Sequence, residues 1–168
     1  MHADRSARAA AHAHAIGLAL AIGFTLAAAS PEVLAAQYLS TADPATILYD
    51  APSDRARPVF VYGRGVPVEQ LVAVEGWTKV RDAAGTIGWI ATPSLSAKRI
   101  VEVRAPVADV RDRPDDAAPI VFRAAQDVLL ELDETAASPA AAANPGWVRV
   151  RDRGGRSGYV RLAQIFGF

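Results

Sequence analysis

The sequence predicts an all-β fold, two tandem small β-barrels behind an N-terminal export segment. Three observations point there. A frame running from Gly76 to Ile90 returns from Gly146 to Val160 at a constant offset of 70 residues. Around it, short runs of Val, Ile, Leu and aromatic residues are separated by Gly, Pro and Asp, a spacing of strands and turns. The chain of 168 residues contains no cysteine, so its small cores must hold by packing without disulfide staples.

The first element is an address. Met1 to His14 is mildly basic, with Arg5 and Arg8 against Asp4, and Ala15 to Ala29 is uncharged and apolar. That run suits the core of a signal peptide and falls short of the ~20 residues a membrane-spanning helix needs. Cleavage after Ala36 is expected, giving a signal peptide over residues 1–36; cleavage after Ala35 and an uncleaved anchor are the alternatives. No Arg-Arg pair precedes the apolar run and no Cys follows it, so neither a twin-arginine route nor a lipoprotein anchor is expected. The mature chain, with no transmembrane anchor, is expected in the periplasm or outside the cell.

The remainder divides into a first repeat, residues 37–97, and a second, residues 98–168. Their shared frame is G-W-x-[KR]-V-R-D-x-x-G-x-x-G-[WY]-[IV]. Upstream, Leu48-Tyr49-Asp50-Ala51-Pro52 matches Val110-Arg111-Asp112-Arg113-Pro114 at an offset of 62, and Pro58-Val59-Phe60 resembles Pro119-Ile120-Val121 at 61. Growth of the offset from 61 to 70 places an insertion of about nine residues in the second copy, at the low-complexity stretch around 133–145. Within Trp147-Val148-Arg149-Val150-Arg151 the side chains alternate, so Val148 and Val150 point to one face and Trp147, Arg149 and Arg151 to the other. The Asp and Gly residues that follow supply a hairpin turn, and Gly158-Tyr159-Val160 returns. The join from Ser96 to Arg104 is itself apolar and strand-like, which suits a fixed pair better than a flexible tether.

These motifs, in this order and twice over, resemble the bacterial SH3-like (SH3b) domain. The resemblance rests on Asp109-Val110-Arg111 leading to Pro114, an apolar middle strand, Gly146-Trp147 with Val150-Arg151, and Gly158-Tyr159-Val160; Leu48-Tyr49-Asp50 is similar to the A-L-Y-D opening of SH3 domains. It covers about residues 44–166. It implies SH3-like barrels of five or six strands in exported proteins of the bacterial envelope, which commonly bind peptidoglycan or peptides, often beside a hydrolase.

The resemblance also implies where a ligand would sit. The first aromatic of the G-W strand lines the groove in SH3-type domains, which singles out Trp77 and Trp147, each with basic neighbours such as Lys79 or Arg149. Tyr49 stands where SH3 domains carry a groove tyrosine, and its counterpart is Arg111. An aromatic plate beside Arg149 could hold a sugar face, a peptide or a carboxylate; packing at the barrel end or between repeats is the alternative for both Trp residues. Trp89 and Tyr159 suit core or edge packing. Arg161 and Gln164, where SH3 domains place Pro and Tyr, argue against a proline-rich ligand.

Several chemistries fall away. All three histidines, His2, His12 and His14, lie in the expected signal peptide. The mature chain therefore has no thiol nucleophile, no His-based triad and no Cys/His metal site. Asp50, Asp112, Asp115 and Asp116 do not form a D-x-[DN]-x-[DN]-G calcium loop and read as turn formers. Acids in turns of small barrels do not make a glycosidase cleft, so no enzymatic activity, metal or cofactor is expected. With 18 basic and 18 acidic side chains, nothing favours a nucleic acid or an anionic membrane. The expected function is an exported, non-enzymatic binding module of the cell envelope that recognises peptidoglycan or an envelope peptide. The alternative is a periplasmic protein–protein interaction or scaffold module with no cell-wall ligand.

Overall fold

The structure, a computed structural model, describes residues 36–133 and 146–168. The expected signal peptide (1–36), save its last residue, and nearly all of the expected insertion (133–145) lie outside the described residues. Among those described, no helix is long and apolar enough to cross a membrane.

The duplicated sequence folds as a duplicated topology. The first repeat forms β1 (Gln37–Thr41), β2 (Thr46–Tyr49), β3 (Pro58–Tyr62), β4 (Pro67–Val74), β5 (Trp77–Arg81), β6 (Ile87–Ala91) and β7 (Leu95–Ser96). The second forms β8 (Ile100–Val103), β9 (Val107–Arg111), β10 (Ile120–Ala125), β11 (Leu129–Leu132), β12 (Trp147–Arg151), β13 (Ser157–Arg161) and β14 (Ile165–Phe166). A single 3₁₀ turn precedes the last strand of each, at Thr92–Ser94 and Leu162–Gln164. Strand order is β3-β2-β6-β5-β4-β1-β7 in one sheet and β10-β9-β13-β12-β11-β8-β14 in the other, each a seven-stranded sheet with antiparallel pairing.

The expected barrel closure is corrected by these ladders. The chain is all-β and tandem, but neither sheet closes: β3 and β7 end one ladder, β10 and β14 the other. A barrel needs its end strands hydrogen-bonded to each other. Here the terminal two-residue strands β7 and β14 pair only with β1 and β8.

Local chemistry explains the hairpins. Asp82 accepts hydrogen bonds on Oδ1 from the backbone N–H of Ala84 (2.9 Å) and Thr86 (2.7 Å), and Gly85 completes the turn at φ +90°. Asp152 caps its turn in the same way, accepting from the N–H of Arg156 at 2.8 Å, with Gly155 at φ +85°. The repeated R-D pair is thus a turn device. The alternation read in β12 holds for Val148 and Val150, which are buried, and for Arg149 and Arg151, which are exposed.

The two cores differ in polarity. The second is aliphatic, built on residues such as Val101, Val110, Leu130, Val148, Val150 and Val160 around Phe122. The first is smaller, with Leu48, Tyr62, Val68, Val80 and Ile90, and places threonines inside. Thr78 stands where the second repeat has Val148, and its hydroxyl meets that of Thr92 at 3.0 Å. Thr46 stands where the second repeat has Ala108, is 1% exposed, and its hydroxyl has no hydrogen-bond partner. Leaving a buried hydroxyl unmatched costs about 1–3 kcal/mol. Thr46→Val is therefore expected to raise stability by about 1 kcal/mol, read as a higher urea midpoint at unchanged slope; a lower midpoint would contradict the orphaned hydroxyl.

Both sheets lie within one compact unit. At the seam, Tyr38 meets Phe166 edge to face with ring centroids 5.3 Å apart, and the Ser40 hydroxyl donates to the Lys98 carbonyl at 2.9 Å. Gly65, at φ +85°, lies so near Ile100 that a Cβ would stand 3.1 Å from its Cδ1.

Candidate functional site

The outward face of β2, β6 and β5 gathers three aromatic residues of the first repeat, Tyr49, Trp77 and Trp89. Tyr49 is paired in register with Trp89, Lys79 also with Trp89, and Trp77 with Ala91. A bulge between Leu48 and Tyr49 in the β2–β3 ladder changes the local twist where Tyr49 leaves the strand. Trp77 is opposite the small Ala91, and the rings of Tyr49 and Trp77 meet edge to face, centroids 5.5 Å apart at 89°. That geometry is favoured by the ring quadrupoles. The Lys79 ammonium lies 5.8 Å from the Trp89 ring. Tyr49, Trp77, Lys79 and Trp89 are all half-buried. The result is an aromatic surface with one cation at its side, able to stack on an apolar or planar group and to attract a carboxylate.

The second repeat uses the same strands and arrives at a different surface. The position of Ala91 is held by Arg161, whose guanidinium lies 4.5 Å from the Trp147 ring centroid. Asp116 holds Arg161 in place, accepting from Nε at 3.0 Å and from Nη2; this hydrogen bond lowers the Asp116 carboxyl below its ordinary range. Trp147 is only 7% exposed. The counterpart of Tyr49 is Arg111, whose Nη1 donates to the Ala118 carbonyl at 2.7 Å and whose Nη2 donates to Asp109 at 3.0 Å. Arg149 is exposed and pairs with Asp133 at 3.6 Å.

Of the four residues singled out from the sequence, the structure brings together Tyr49 and Trp77. It sets Trp147 beneath a cation and Arg149 against an acid. Trp89 and Lys79 join the first pair without having been singled out as a group. The signal for the difference was present at one position: Ala91 against Arg161, directly after the returning G-[WY]-[IV] of each frame.

Burial raises the pKa of two weakly acidic side chains, Glu102 and Tyr62. Glu102 has its carboxyl raised above the ordinary range by burial. The Tyr62 hydroxyl donates to Asp82 at 2.9 Å, and burial together with that bond raises the phenol far above its usual value.

Comparison with known proteins yields a family. No curated protein matches the chain. Among solved structures, NlpC2 from Trichomonas vaginalis is similar at 17% identity and a TM-score of 0.34, over 78% of this chain and 48% of that one. NlpC1 from Trichomonas vaginalis matches at 18% and 0.35, over 82% and 48%. An NlpC/P60 family protein from Bacillus cereus matches at 15% and 0.32, over 76% and 55%. The chain spans about half the length of these structures. A family model, bacterial SH3 domain, matches residues 42–97 and again 104–167. With most of the chain covered, once per sheet, the protein belongs to the bacterial SH3 domain family.

Proposed function

We propose that this chain is an exported, non-enzymatic binding module of the bacterial cell envelope, with its domains at 37–97 and 98–168. Its ligand is peptidoglycan or an envelope peptide, held on the first repeat by Tyr49 and Trp77 with Trp89 and Lys79 beside them. The observation that supports this best is the half-buried edge-to-face pair of Tyr49 and Trp77, set against a second-repeat Trp that lies under Arg161. Rigid aromatic side chains give large contact area at little conformational cost.

The test is sedimentation with purified sacculi. Wild-type protein is expected to pellet, and Trp77→Ala or Tyr49→Ala to weaken binding about tenfold or more, the loss of about 1.4 kcal/mol or more typical of a buried aromatic anchor. Wild type remaining in the supernatant, or both variants pelleting as well as wild type, would reject the proposal.

One observation favours the second reading, a protein–protein interaction module without a cell-wall ligand. Edge strand β3 exposes Val59, Phe60 and Val61 at 43%, 54% and 55%. An apolar, unpaired edge can accept a strand from a partner. Under this reading sacculi fail to pellet the protein, while a charged substitution such as Val61→Lys abolishes capture of an envelope protein.

A further inference from the structure

Where the two sheets meet, a cavity of about 430 Å³ opens between them, within the range of small-molecule sites. It is remote from Tyr49 and Trp77, neither of which lines it. Its floor is apolar: Ile100 and Leu129, against Gly65. Its walls carry four cations, Arg64 from the first repeat and Lys98, Arg151 and Arg153 from the second, against the single carboxylate of Glu131.

Those cations are not equally occupied. Lys98 pairs with Glu131. Arg151 lies 3.6 Å from Asp133, with Nε donating to the Ser157 hydroxyl at 3.3 Å. Arg64 and Arg153 have no ion pair or hydrogen bond from their side chains among the described residues. Arg64 and Arg153 thus line one cavity from different sheets, and the one carboxylate there, Glu131, is paired with Lys98. Gathering like charges around a partly enclosed space is unfavourable, and an anion placed among them reverses the sign of that interaction. The planar fork of arginine matches a carboxylate or phosphate with two parallel hydrogen bonds.

A second cavity lined by residues of both repeats supplies an internal contrast. At about 450 Å³, it shares Leu129 and carries Asp82, Glu102 and Asp127 against Arg104. The sizes are similar and the sign of charge is reversed, so an anion has reason to enter only the first.

We propose that the cavity lined by Arg64 and Arg153 is a binding site for a small organic oxyanion, a carboxylate or phosphate carrying a short apolar group. The guanidinium groups take the oxyanion, and the apolar group rests on Ile100 and Leu129. Because Arg64 and Arg153 come from different repeats, the ligand would bridge the two sheets.

The test is a titration of the purified, ¹⁵N-labelled chain with inorganic phosphate and with succinate, ionic strength held constant with chloride. Saturable shifts are expected at the amides of Gly65, Ile100 and Arg153, with Gln126 and Asp127 in the acidic cavity unmoved. Arg64→Ala combined with Arg153→Ala is expected to weaken binding tenfold or more. Glu131→Gln, which releases Lys98, is expected to tighten it severalfold. Tighter succinate binding would identify a carboxylate ligand, tighter phosphate binding a phosphate; either supports the site. Shifts that grow linearly without saturation, or a double variant that binds as wild type does, would overturn it. Arg64 and Arg153 are exposed and the spectrum itself reports the fold; should the double variant lose dispersion, Arg153→Gln alone gives the same reading.

Discussion

Trp147→Ala is expected to lower stability by about 3–5 kcal/mol, the range for emptying a buried aromatic site, while leaving sacculus sedimentation at the wild-type level. Trp147 is 7% exposed and opens β12, beside Val148 of the second core. Arg161 lies over the ring, and a guanidinium so placed adds about 0.5–2 kcal/mol that the alanine would forfeit. The paired variant Trp77→Ala should behave in the opposite sense, with weaker sedimentation and a smaller stability loss, since Trp77 is half-buried and already in contact with solvent. Urea denaturation and sedimentation on the same two proteins separate the roles. If Trp147→Ala left the urea midpoint unchanged and released the protein from sacculi, the assignment of the two repeats would have to be exchanged.

Gly88→Ala is expected to destabilise the first repeat by about 3 kcal/mol, at the upper end of what overpacking usually costs, and to abolish binding at the aromatic face. A Cβ at residue 88 would stand 2.6 Å from Leu48 Cγ and 2.7 Å from the Tyr49 carbonyl oxygen. Leu48 is fully buried, and the Tyr49 carbonyl is fixed by strand pairing, so neither gives way cheaply. Displacing the backbone at Tyr49 also moves the ring that meets Trp77. By contrast, Gly85→Ala adds a methyl to open space and costs only the strain of φ +90°, about 1–2 kcal/mol. Thermal unfolding of the two variants would show the ordering; equal midpoints would mean that the close approach of β6 to β2 tolerates a side chain.

Much of the fold was legible because it is governed by neighbours in sequence. The G-W-x-[KR]-V-R-D frame marks a strand, a carboxylate-capped turn and a return, and Asp82 and Asp152 perform that turn with their own side chains. Alternation placed Val148 and Val150 inside. What could not be read was set by partners far along the chain. Trp147 lies on the face that alternation assigns to it, yet Arg161 from the adjacent strand covers it, held there by Asp116, 45 positions before Arg161. Openness of the sheets depends on where ladders stop, at β3, β7, β10 and β14, and a strand pattern carries no such information. The seam cavity is further still from local rules, since Arg64 and Arg153 come to line one cavity only when two sheets meet.

The exchange of Ala91 for Arg161 has a consequence for valency. A protein with two equivalent sockets gains avidity on a polymer that repeats its ligand, because the second engagement proceeds at a high effective concentration. Here the duplicated socket is filled from within by an arginine clamped to Asp116. On the proposal made for Tyr49 and Trp77, the tandem protein is monovalent at its aromatic site. It would hold a repeating lattice only as tightly as one contact allows, exchanging between positions rather than cross-linking them.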